Sequence, residues 1–122
     1  MVLPTASFAG GVGLSPFAGT DMAHLLARRA AERGAHPALV WSPPDGAETT
    51  LTYAQLADEV ARVAGGLAAR GIAPGDRVLI HLENCPETLV ARFACAWLGA
   101  IAVVTNPMLT GPELAGLAET TT

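Results

Sequence analysis

The chain has 122 residues, 51% of them hydrophobic and 15% charged, which places it at one domain of roughly 100–200 residues or less and outside the disordered class. Its net charge of -4 and the scatter of Arg28, Arg29, Arg33, Arg62, Arg70, Arg77 and Arg92 leave no basic stripe able to follow a phosphate backbone, so no nucleic-acid partner is expected. The apolar fraction exceeds what a lone small core hides easily, which points to further chain that would cover the excess.

Residues 1–19 read as a flexible leader, because Pro4, Gly10, Gly11, Gly13 and Pro16 recur faster than any helix or strand period. The leader carries no basic n-region and is not a secretory signal. Its Gly10-Gly11-Val12-Gly13 follows no strand and precedes no Gly-Lys-Ser/Thr, so it is not read as a phosphate loop. From Asp21 a helix is expected, capped by Thr20 or Asp21, with Met22, Leu25 and Leu26 as its apolar side and Gly34 as its end. Ala38-Leu39-Val40-Trp41 is then a short strand. Pro43, Pro44, Asp45 and Gly46 mark a loose loop, after which Thr50 to Thr52 pairs back as a hairpin.

Thr52-Tyr53-Ala54-Gln55 is a capping box that starts the next helix. Leu56, Val60, Val63 and Leu67 form its packed stripe, and a left-handed cap at Gly71 ends it. Gly65 and Gly66 inside that helix cost about 1 kcal/mol each relative to alanine, so a close contact with another element is expected to compensate. Pro74-Gly75 suits the centre of a type II turn and delivers the chain into the strand Arg77 to His81. Pro86 opens a helix through Leu98, and Ile101 to Val104 is a second strand. This is a β-α-β unit, and a right-handed crossover makes its strands parallel. The helix between them is apolar on two sides, with Leu89, Phe93 and Trp97 on one and Val90, Ala94 and Leu98 on the other, which implies burial between layers. Thr110-Gly111-Pro112-Glu113 is a further capping box at the start of a last helix.

Chemistry-bearing residues are sparse. All seven basic Lys/Arg positions are arginine, and the missing lysine counts against nucleotide chemistry within the chain. Cys85 and Cys95 match neither a redox pair nor a zinc knuckle and read as two buried free thiols. A catalytic thiol needs a positioned histidine, and nothing aims the strand-end His81 at Cys85. Asp58, Glu59, Glu83 and Glu87 read as solvated charge at helix faces or starts. His24, His36 and His81 lack metal-ligand spacing and read as surface or strand-end histidines. No catalytic or metal residue is assigned, and cofactor-binding residues remain unassigned. The longest apolar run, Phe93 to Val104, falls short of the ~20 residues that span a bilayer, so no membrane span and a cytoplasmic location are expected.

Three segments in order, Leu51-Thr52-Tyr53-Ala54-Gln55-Leu56, then Gly71 to Val78, then Ala96-Trp97-Leu98-Gly99-Ala100-Ile101-Ala102-Val103-Val104-Thr105-Asn106-Pro107, resemble the opening of the adenylate-forming enzymes. That family includes acid–CoA ligases, peptide-synthetase adenylation domains and luciferases. The resemblance runs from near Asp21 to Leu117, and Val78 to Glu87 with Phe93 to Ala100 look similar to acyl-CoA ligases of the fatty-acid and carnitine kind.

The resemblance implies an α/β fold and, for residues 20–122, an incomplete N-terminal portion of the family's large AMP-binding domain: a hairpin plus a parallel β-α-β unit with covering helices. Members use ATP and Mg²⁺ to make an acyl-adenylate and pass the acyl group to CoA. Their phosphate loop and catalytic lysine lie beyond the matched motifs, so no catalytic residue carries over, and no cofactor is expected for this chain alone. At the matched positions Tyr53 and Leu56 pack, Gly71, Gly75 and Asp76 turn, and Asn106-Pro107 ends a strand.

The chain is therefore expected to be a truncated ligase segment, inactive alone, whose partner is the missing remainder. Leu79, Ile80, Val103 and Val104 would lack cover, and the open sheet edge would make the isolated chain poorly soluble. The alternatives are one half of a split ligase and a free-standing α/β interaction module.

Overall fold

The computed structural model describes residues 20–121. The leader and its glycine cluster lie outside them.

Asp21 begins the first helix, α1 (Met22–Arg33), by accepting the His24 amide on its carboxylate at 2.8 Å, which satisfies one of the amides a helix start leaves unpaired. The buried residues of α1 are Ala23 and Leu26, and Met22, expected on the packed side, is exposed. At the far end Gly34 accepts the Ala54 amide and His36 accepts the Tyr53 amide, both at 3.0 Å. The end of α1 is thereby tied to the start of the next helix.

Strands β1 (Pro37–Trp41) and β2 (Thr49–Thr52) form the expected antiparallel hairpin, with an irregularity between Pro37 and Leu39. Helix α2 (Tyr53–Ala69) starts at a complete capping box: Thr52 Oγ1 accepts the Gln55 amide at 3.2 Å, and Gln55 Oε1 accepts the Thr52 amide at 2.9 Å. Leu56, Val60 and Ala64 recur every fourth residue and are its buried line, flanked by the half-buried Val63 and Leu67. The helix closes with Gly71 at φ +92, Gly71 N–H donating to Ala68 O and Ile72 N–H to Leu67 O, the paired bonds of a Schellman end. The compensating contact expected at Gly65 and Gly66 is absent among the described residues. A Cβ at Gly65 would meet open space, and one at Gly66 would meet only the Arg70 guanidinium at 3.6 Å.

The turn at Pro74-Gly75 has Gly75 at φ +88 and Asp76 N–H donating to Ala73 O at 3.1 Å, as a type II turn requires. It leads into β3 (Arg77–Ile80). Helix α3 (Pro86–Leu98) and strand β4 (Ile101–Val104) complete the unit, and β3 and β4 pair in parallel with Arg77 opposite Ile101 and Ile80 opposite Val104. Gly99, at φ +70, ends α3 and accepts the Gly75 amide at 2.9 Å. Two glycine corners thus lock the starts of the parallel strands together. Helix α4 (Gly111–Thr121) buries no residue, and at its start Glu113 accepts both the amide and the hydroxyl of Thr110.

Helix α3 lies where the sequence pattern puts it, packed on α1 and α2 from one side and on β3 and β4 from the other. The core is Leu26, Leu56, Val60 and Val90, with Leu51, Tyr53, Phe93 and Trp97 packed around it. The expectation that Ile80 lacks cover is corrected: it is only 4% exposed. Leu79 and Val103 are half-buried, while Ile101 and Val104 are each 48% exposed.

Candidate functional site

Two places on this framework gather side chains that could meet a ligand. In open α/β sheets, ligands bind outside the carboxyl ends of the strands. Here those ends are His81, after β3, and Thr105, after β4. Thr105 is buried, and its backbone N–H and its hydroxyl both reach the Ile80 carbonyl, at 3.0 and 3.2 Å. His81 Nδ1 lies 2.8 Å from the same hydroxyl. The imidazole that sequence reasoning reads as a strand-end residue is therefore braced across the two strands. Beyond it Asn106 Oδ1 accepts the Met108 amide at 3.0 Å, so the Asn-Pro step turns the chain just after β4 has ended at Val104.

The second place is an open groove of about 530 Å³ between the hairpin, α2 and the start of α3. Trp41, Leu51, Val63, Leu82 and Val90 give it an apolar floor, and Glu59, Arg62 and Glu87 supply its charge. Glu59 is bound to Arg62 one turn along α2. Trp41 also borders a smaller cavity of about 180 Å³ with Cys85, Thr88 and Arg92. Its indole N–H donates to the Asn84 carbonyl at 3.3 Å, which fixes the ring between the two spaces.

Neither place assembles a nucleophile with its base. Cys95 is fully buried, and burial pushes its thiol pKa up, away from the reactive thiolate. Cys85 corrects the expectation of two buried thiols: it is half-buried at the cap of α3, with Sγ 3.5 Å from Thr88 Oγ1. Thr88 itself donates to the Glu83 carbonyl at 2.7 Å. His81 is occupied by Thr105, and His24 sits against Asp21 at 2.9 Å. Among the described residues no group of three His, Cys, Asp or Glu side chains could hold a metal ion, and no helix is long and apolar enough to cross a membrane. Of the carboxylates considered from sequence, Glu59 and Glu87 line the same groove, Glu59 from α2, where it pairs with Arg62, and Glu87 from α3. What sequence reasoning missed is Thr105 and the Trp41 groove. The only local signal for Thr105 is a hydroxyl directly after four apolar strand residues.

Residues 26–122 match the family model described as AMP-binding enzyme. An acetyl-coenzyme A synthetase of Novosphingobium aromaticivorans is 43% identical over 96 residues, 77% of this chain and 15% of that protein. A crotonobetaine/carnitine–CoA ligase of Salmonella paratyphi B is 40% identical over 82 residues, 67% of this chain and 16% of that protein. Among solved structures, the inhibitor-bound N-terminal domain of FACL13 from Mycobacterium tuberculosis superimposes with a TM-score of 0.74 at 33% identity, covering 81% of this chain and 24% of that one. O-succinylbenzoate coenzyme A synthetase from Bacillus subtilis, solved with AMP, gives 0.68 at 32% identity, with 80% and 24% covered. The chain thus spans under a fifth of the curated relatives named here and about a quarter of the two solved chains. Its ordered motifs, its hairpin and parallel β-α-β unit, and the match over residues 26–122 together make it a member of the AMP-binding enzyme family, corresponding to the N-terminal part of the acyl-CoA ligases.

Proposed function

We propose that residues 20–122 serve as the partial N-terminal subdomain of an ATP-dependent carboxylic acid–CoA ligase, acting as scaffold and not as the seat of the chemistry. The observation that carries this reading is the superposition on the N-terminal domain of a ligase, at 33% identity over 81% of this chain. The complete ligase would activate a carboxylic acid with ATP and Mg²⁺ to an acyl-adenylate and transfer the acyl group to CoA.

The described residues do not fit the demands of that chemistry. Charge developing on a phosphate or carboxylate calls for preorganised cations, and the chain has no lysine. Its groove cation Arg62 is paired with Glu59. The phosphate loop, the metal ligands and the catalytic lysine are therefore assigned to polypeptide outside this segment, in the same chain or a separate one. The matched relatives are named for acetyl-coenzyme A and for crotonobetaine or carnitine, so the proposed substrate is a carboxylic acid with no narrower class assigned.

A chimera tests it. Replacing the matching segment of the acetyl-coenzyme A synthetase with the corresponding residues of this chain should give a soluble enzyme that retains acetate-dependent ATP–pyrophosphate exchange. A folded chimera without exchange would overturn the scaffold reading.

A further inference from the structure

We draw no further inference here: the strongest candidate, the apolar groove around Trp41 between the β1–β2 hairpin, α2 and the start of α3, is an unpartnered face on which nothing in the structure shows what covers it.

Discussion

His81 and Thr105 join the two points at which the parallel strands end: Nδ1 of the histidine lies 2.8 Å from the threonine hydroxyl, which also reaches the Ile80 carbonyl at 3.2 Å. Thr105→Val keeps the shape and the backbone bond to Ile80 while removing the hydroxyl, so the half-buried His81 loses its partner. The expected cost is about 1–2 kcal/mol, read as a lowered urea midpoint. Thr105→Ser should recover most of it. A valine variant as stable as the parent would show that the bridge contributes nothing.

Two glycines should respond to alanine in opposite directions. Gly65 is exposed within α2 and a Cβ there meets open space, so Gly65→Ala should stabilise the chain by about 0.5–1 kcal/mol through helix propensity and a less flexible unfolded state. Gly99 has φ +70 and a Cβ would lie 3.4 Å from Pro74 Cβ. Gly99→Ala should cost about 1–2 kcal/mol, because a left-handed residue must carry a side chain. Thermal unfolding of both variants measures the pair, and a destabilised Gly65→Ala would point to a contact at that position.

Two helix starts should weaken in acid. At Asp21 burial opposes ionisation, but hydrogen bonds from the His24 backbone and side chain outweigh it and hold the pKa below 3.8. At Glu113 the bonds from the Thr110 amide and hydroxyl hold it below 4.5. A carboxylate with a depressed folded pKa contributes stability that is present above its unfolded pKa and is lost as pH falls through the folded value. Helical circular dichroism should therefore decline as the pH drops below about 4. Asp21→Asn, which still caps but does not titrate, should show a shallower decline. An unchanged acid profile in that variant would remove Asp21 from the account.

The local devices were legible because they are written in consecutive residues. The Thr52–Gln55 box, the Pro74-Gly75 turn and the Gly71 corner all form where the sequence puts them, since each depends on backbone geometry within a few positions. The apolar stripe of α2 and the two apolar sides of α3 likewise announce their neighbours. What was not legible depends on distant partners. Trp41 meets Asn84 across 43 positions and His81 meets Thr105 across 24, and no periodicity encodes such pairs. The burial of Ile80 was missed for the same reason, and the exposure of Met22 shows that helical spacing alone does not say which of several apolar residues faces the core. The candidate site was legible as family membership and not as geometry, because the matched motifs shape turns and packing.

We propose that this segment supports the fold of a ligase without performing its chemistry. ATP–pyrophosphate exchange by the isolated 122-residue chain, supplied with Mg²⁺ and short- and long-chain carboxylic acids, tests it most directly. No acid-dependent exchange above background is expected, and acid-dependent exchange by the isolated chain would rule out a purely scaffolding role.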